Sequence, residues 1–420
     1  MWARLSPRLV KLTSHFLTSA ADYLSFRAVC KPWRSALPLR PSHLHTQLPF
    51  LLLLSPSEPR IRSAFRLSAA SYSGSIRPLP NTVNKFCIGS SFGWLILICE
   101  ASSDVSLFNP ITAEEISLPS LSTLPADVLI SSAQSEDGVR MYTVKTDCHD
   151  LPVESDAIVD KVVLSSDPTL DRDFVAIVFL NDVHKKCFSC RPDDPSWRAN
   201  VNGPILDLYF FAPGIRFLFR LVDVVPYGTR RLCAVYDDTE MLGIFDVDPG
   251  PPGRVTMIAC DVMPISVPQN RLPSYLVPSA GEVLLVTGCS KRTADGRDIE
   301  SFRVFWLDPG DWNRDAEAVE VDDIHLIRNR IFFLGTSHSV SVDAGDYPGF
   351  EGNNMYFVYR DEVTEEEEES VFSIGLLSLG DGEIRVIADS NQAEGQRFEW
   401  RSDGSDATWW VSPNLRGRYE

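Results

Sequence analysis

His184, Cys187 and Cys190 stand close together in HKKCFSC, and imidazole and thiolate are ligands that hold zinc. A closed zinc site needs a fourth ligand, and no second Cys-x-x-Cys or His-x-His follows at a useful distance. In an extended strand, moreover, residues three apart point to opposite faces, which sets Cys187 and Cys190 against joint ligation. Both are read as packed thiols, and no metal site is expected. His149 in DCHD has Cys148 as its neighbour, but adjacent residues rarely meet in the geometry of a nucleophile and its base. GSSFGW, Gly89 to Trp94, has the small residues of a phosphate loop, yet the strand-like WLILI follows where a phosphate-binding helix should begin. A turn between strands is the expectation. Gly-x-Ser-x-Gly, P-loop and His-Glu-x-x-His motifs are absent. The seven histidines, His15, His43, His45, His149, His184, His325 and His338, lack a metal-ligand spacing. No catalytic residue and no cofactor is expected.

Binding then becomes the question, and the elements that carry it must be found. The chain has 420 residues, enough for one large or two ordinary domains. Hydrophobic residues at 44% and charged residues at 23% suit a folded chain with a sizeable core. A formal charge of −18 opposes broad affinity for nucleic acid or an anionic membrane, both of which need a positive surface. Nine scattered cysteines, an odd number, read as reduced thiols and point to cytoplasm or nucleus. The longest membrane-like run, LYFFAPGIRFLFRLVDVV, is broken by Pro213, Arg216, Arg220 and Asp223. TEEEEES, Thr364 to Ser370, reads as a hydrated exposed loop, with a site for a cation or a basic partner as the alternative.

The first 40 residues differ from the rest in charge and in period. Leu5, Leu9, Leu12 and Phe16 recur at spacings of four, three and four, one face of an amphipathic helix beginning near Trp2. Ser19 or Asp22 can cap a second helix carrying Leu24, Phe26, Val29 and Cys30. Pro32 suits the first turn of a short third helix with Trp33 and Leu37. Three short helices in about 40 residues bury too little surface to be secure alone. Arg4, Arg8 and Lys11 precede the first acid, Asp22, so this start also has the look of a mitochondrial presequence.

Residues 41–48 read as a linker, after which helical patterns nearly vanish. Sixteen short β-rich runs follow, among them PFLLLLS, GWLILICEA, FVAIVFLN, ILDLYFF, RFLFRLVDV, FRVFWLD and TWWVSP, separated by Gly, Pro, Asn and Asp. RPDDPSW (Arg191 to Trp197) and WLDPGDW (Trp306 to Trp312) are a degenerate repeat, each an Asp-Pro and a Trp after an apolar run; LFNPITAEEISLP is related. Residues 49–415 are therefore expected to form an all-β propeller. At roughly 40–50 residues a blade, about six blades are expected. LPFLLLL and ATWWV, from opposite ends of this domain, are expected to pair and close the ring.

WARLSPRLVKLTSHFLTSAADYLSFRAVCKPWRSAL resembles an F-box, through Leu5, Pro7, Leu9, Leu12, Phe16 and Leu17 and then the more specific tail with Val29, Cys30 and Trp33. KFCIGSSFGWLILICE, CFSCRPDDPSW, YLVPSAGEVLLV and above all FFLGTSHSVSVDAGDYPGFEGNNMYFVYRD resemble the KIB-type β-propeller domain of plant F-box proteins. The resemblance implies a substrate receptor of an SCF-type cullin-RING ubiquitin ligase. Those nine N-terminal residues would dock a Skp-family adaptor, the cullin would join through the adaptor, and the propeller would hold an unidentified substrate protein. The chain itself would be non-catalytic. Ser6 before Pro7, Arg8 where an acid is common and Thr18 at a usual proline position depart from the family pattern. An adaptor-independent binding propeller, organelle-targeted by its basic start, is the alternative that these departures leave open.

Overall fold

A computed structural model describes residues 5–17, 20–38, 41, 48–55, 58–67, 74–78, 85–99, 102–125, 129–134, 140–145, 150–154, 159–180, 187–200, 221–228, 230–236, 241–248, 250, 254–262, 271–292, 298–308, 317–321, 327, 329–335, 338–347, 349–360, 372–380, 382, 384–389 and 410–411. Helix α1 spans Pro7–Ser14, α2 Ala20–Ala28 and α3 Lys31–Ala36. Proline opens the first and third because its missing N–H is not needed in a first turn. The expected start of α1 near Trp2 moves to Pro7, where Ser6 caps the helix and its Oγ accepts from the Leu9 N–H at 3.4 Å. Asp22 lies inside the first turn of α2 rather than capping it, and Ser19 lies outside the described residues.

After the helices, strands dominate the described residues. Sheet A begins with β1 (Phe50–Ser55), β2 (Glu58–Leu67) and β3 (Gly74–Pro78). Sheet B holds β4 (Lys85–Ser91), β5 (Trp94–Cys99), β6 (Val105–Phe108) and β7 (Glu115–Leu118). Sheet C is β8 (Leu129–Gln134), β9 (Arg140–Lys145) and β10 (Asp150–Glu154). Sheet D comprises β11 (Val159–Leu164), β12 (Ala176–Leu180), β13 (Cys187–Cys190) and β14 (Arg198–Ala199). Sheet E comprises β15 (Leu221–Tyr227), β16 (Arg231–Tyr236), β17 (Met241–Asp248) and β18 (Arg254–Val262). Sheet F has β19 (Arg271–Ser279), β20 (Glu282–Arg292), β21 (Asp298–Asp308) and β22 (Glu317–Glu320). Sheet G has β23 (Arg330–Leu334), β24 (Val340–Asp343), β25 (Asn354–Arg360), β26 (Phe372–Ser378) and β27 (Ile384–Asp389). Finally β28 (Trp410–Val411) returns to sheet A and pairs antiparallel with β1, Phe50 opposite Val411.

Alternation along single strands explains how the sheets stack. In β1, Phe50 and Leu52 pack on Leu95, Leu97 and Phe108 of sheet B, while Leu51 between them packs on Ile331, Phe333 and Tyr356 of sheet G. In β12, Ala176, Val178 and Leu180 face sheet B, and Ile177 and Phe179 face sheet E. Further cores join E to F, through Val235, Ile244, Leu276 and Leu285, and F to G, through Val277, Val286, Phe332 and Met355. The sheets thus follow one another as A, B, D, E, F, G and back to A. Runs such as WLILI and AIVFL are continuously apolar because both faces of these strands are buried.

The helices are therefore followed by a β-propeller. The expectation of about six blades is corrected to five four-stranded blades, A, B, D, E and F, with sheet G completing the ring. Sheet G has five strands, and its β23 and β25 run parallel. Sheet C is an insertion, since β4 and β11 on either side of it in sequence pack directly on each other. Several strands escaped the expected sixteen, notably EPRIRSAFRL and the strands of sheet C, because they are not apolar runs. ILDLYFF, the start of RFLFRLVDV, TEEEEES, His184 and Trp312 lie outside the described residues.

Truncation after Ser405 removes β28 and leaves β1 as an open edge. We expect the whole β signal to melt in one transition at a lower temperature, measured by circular dichroism; a wild-type midpoint would show that the β1–β28 pair does not close the ring.

Candidate functional site

The helical unit has a small core of its own. Val10, Tyr23, Trp33 and Leu37 are buried together, with Leu5, Leu17, Phe26, Cys30 and Ala36 half-buried around them. The Phe26 and Trp33 rings lie 4.4 Å apart between centroids, tilted by 44°. The Tyr23 hydroxyl donates to the Pro38 carbonyl at 2.7 Å, and Arg27 Nε donates to the Leu37 carbonyl at 3.1 Å, tying the exit of α3 back to α2. Trp33 Nε1 is buried with no hydrogen-bond partner among the described residues.

Among the described residues, one from the propeller joins this core. Ile111 belongs both to the helical core and to the core between sheets A and B. It is presented by the turn after β6, in LFNPITAEE. There Asn109 Oδ1 accepts from the Ile111 and Thr112 N–H groups at 2.9 and 3.1 Å, and Ala113 takes a positive φ of 56°. The Asn-Pro turn thus anchors the helices to the propeller.

The structure divides the nine residues expected at an adaptor interface into two groups. Trp33 is buried and Leu5, Leu17 and Cys30 are half-buried, so these four build or border the unit's core. Pro7, Leu9, Leu12, Phe16 and Val29 are exposed. Leu9, Leu12, Phe16 and Val29 retain 50%, 54%, 85% and 56% of their accessibility, and only Leu170, Trp306 and Val319 join them as large exposed apolar residues among those described. Leu9, Leu12 and Phe16 follow one helical stripe at i, i+3, i+7. An apolar stripe turned outward from a unit that packs its own core elsewhere is the kind of surface on which partners dock. The helical period places Leu5 on the same face and leaves Val10, Tyr23 and Ile111 unmarked as core residues.

A second polar feature sits where the inner strands meet. β4, β11, β15, β19 and β24 pack edge to edge in that order. Lys161 on β11 forms a buried ion pair with Asp223 on β15. Asp223 also accepts from the N–H groups of Val224 at 2.7 Å and of Leu276 on β19 at 2.9 Å, so one carboxylate ties three sheets. Burial raises the Asp223 pKa, opposed by the Lys161 charge and these donors. His338, buried just before β24, is held neutral, its pKa pushed down to about 3 by burial and then by the Lys161 charge.

Cys187 and Cys190 are both buried and face different cores, Cys187 between sheets D and E and Cys190 between B and D. Burial pushes Cys187 up to about 11 and raises Cys190 as well, so both are poor nucleophiles. GSSFGW is a two-residue hairpin turn in which Phe92 and Gly93 have φ of 50° and 78°. Cys148 and His149 lie outside the described residues.

Comparison with known proteins gives matches of three kinds. A sequence model described as the KIB1-4 beta-propeller matches residues 64–375. An F-box protein of Arabidopsis thaliana is 24% identical over 404 residues, covering 93% of this chain and 95% of its own. Among solved structures, the Swd1 β-propeller domain of Myceliophteria thermophila covers 81% of this chain and 96% of its own at 11% identity and a TM-score of 0.28. The WD40 domain of SCAP from fission yeast covers 84% and 89% at 10% identity and a TM-score of 0.27. At TM-scores this low, neither likeness bears on function.

Two outcomes are expected. Trp33→Ala should destabilise the helical unit by about 3–5 kcal/mol, whereas Leu12→Ala should change it by less than about 0.5 kcal/mol, read by limited proteolysis of residues 5–38. For His338 the unfolded chain binds more protons than the folded one between about pH 6.5 and 3. Stability is therefore fullest above that window and falls as pH drops through it, by on the order of 2 kcal/mol at pH 5. Denaturant melts of His338→Gln should show a shallower fall than wild type; equal slopes would remove His338 as the cause.

Proposed function

The chain belongs to the KIB1-4 beta-propeller family, and on that premise we propose that it is the substrate-holding subunit of an SCF-type cullin-RING ubiquitin ligase. In this reading the three N-terminal helices dock a Skp-family adaptor, the cullin joins through that adaptor, and the propeller presents a substrate protein. The chain performs no covalent step itself and works in the cytoplasm or nucleus. The observation that carries the reading is the outward stripe of Leu9, Leu12 and Phe16, together with the exposed Val29 just after α2. Similarity to a plant F-box protein along nearly the full length supports it.

The division of the nine residues matters for the mechanism. Leu9, Leu12, Phe16 and Val29 are the contact candidates, since their surface is available for burial at about 25 cal/mol per Å². Trp33 and Cys30 act one step back, by holding α3 against α1 and α2. Ile111 then sets where the docking stripe lies relative to the propeller. A substrate bound on the ring is thereby placed at a definite offset from the ligase.

The test is a pull-down of full-length chain with a plant Skp-family adaptor and cullin. Wild type should be retained, and Leu12→Asp/Phe16→Asp should lose at least about tenfold in affinity, since a charge forced into an apolar contact costs more than about 1.4 kcal/mol. Both replaced side chains are exposed, so thermal stability should be unchanged. Failure of wild type to bind, or full binding by the double variant, would sink the reading.

A further inference from the structure

We infer that the propeller is a poor acceptor of the ubiquitin whose transfer it directs, because it carries its positive charge on guanidinium groups and presents few lysine amines. The inference rests on the ligase reading above and adds how the receptor escapes modification within its own complex.

The chain holds 31 arginines and only eight lysines, and the two are not distributed alike. Residues 1–186 contain seven of the lysines beside 11 arginines, whereas residues 187–420 contain Lys291 alone beside 20 arginines. A uniform preference for arginine would keep one proportion along the chain, so the change marks a region. That region supplies the whole of sheets E, F and G.

The structure withdraws two of the remaining propeller lysines. Lys161 is buried in its ion pair with Asp223. Lys85, half-buried, pairs with Glu115 and donates to Ser106 Oγ at 3.3 Å. The exposed lysines with described side chains, Lys11 and Lys31, lie on the helices assigned to the adaptor. Arginines are placed otherwise: Arg230 and Arg231 are exposed, and Arg172 keeps 64% of its side-chain accessibility. Two-pronged pairing accounts for the arginine at position 303, where Nε and Nη2 meet Glu320 at 2.6 and 2.5 Å. Arg230 and Arg231 form no ion pair among the described residues, so geometry alone gives no reason to prefer arginine there.

The difference between the two cations is one of nucleophilicity. Ubiquitin moves when a neutral lysine Nζ attacks the carbonyl carbon of the thioester that holds it on a conjugating enzyme. The C–N bond forms, the C–S bond breaks, the amine gives up a proton and the thiolate departs. Lysine, with an ordinary pKa of about 10.4, supplies a small neutral fraction at pH 7, whereas arginine stays protonated with its lone pairs delocalised. A receptor held in the complex offers its own surface to the charged enzyme at high effective concentration. Arginine keeps that surface cationic without making it an acceptor.

A reconstituted reaction tests this, with the full chain, a plant Skp-family adaptor, cullin, RING subunit, activating and conjugating enzymes and ubiquitin, and no substrate added. Arg172→Lys/Arg230→Lys/Arg231→Lys preserves charge at three exposed positions, so its thermal midpoint should match wild type. We expect this variant to acquire ubiquitin on the propeller at least about fivefold faster than wild type, at the new lysines, as mapped by mass spectrometry. Retention of adaptor and cullin is measured in the same samples. If both proteins assemble and are modified on the propeller at equal rates, the docking reading stands and the inference is overturned. If wild type does not assemble, both fall.

Discussion

Each sheet of the ring carries apolar side chains on both faces, and a sheet of that kind has no stable end position in water, so the stack must return on itself. Leu51 shows the constraint within one strand. It faces sheet G while Phe50 and Leu52 on either side face sheet B. The two ends of the β region meet at this strand, because β28 pairs with β1. The remaining inter-sheet cores depend on that closure, since opening any one exposes two apolar faces to solvent.

The inner rim solves a different problem. Where the first strands of successive sheets converge, buried backbone groups need partners. Asp223 meets part of this need by accepting from Val224, Leu276 and Lys161 at once. A buried ion pair of this kind adds little net stability over apolar packing, but removing one partner leaves a stranded charge. Its value is in register, because it joins sheets D, E and F at fixed positions along their inner strands.

Among the described residues, Ile111 links the helical unit to the same ring. Ile111 sits on an Asn-Pro turn of sheet B and completes the core around Val10, Tyr23, Trp33 and Leu37. With that anchor, α1 turns Leu9, Leu12 and Phe16 outward and keeps Val10 inward. A 40-residue helical unit thus gains burial it lacks alone, and its exposed apolar stripe takes a set place relative to the propeller.

Much of this was legible in the residues. Period 3.6 near the start and short apolar runs afterwards specified helices and then strands, because those periods follow from backbone geometry alone. Pro32 marked the first turn of α3, and the alternation rule already separated Cys187 from Cys190. What the sequence could not decide was which apolar residues stay exposed and which pack on one another. Leu9 and Val10 are equally apolar neighbours, and packing in the core with Tyr23, Trp33 and Leu37 buries one and leaves the other exposed. Trp33, the residue most suggestive of a contact, is spent on the core for the same reason. The Lys161–Asp223 pair and the off-ring place of sheet C were equally hidden, since they join residues far apart in the chain whose proximity exists only once the ring has closed.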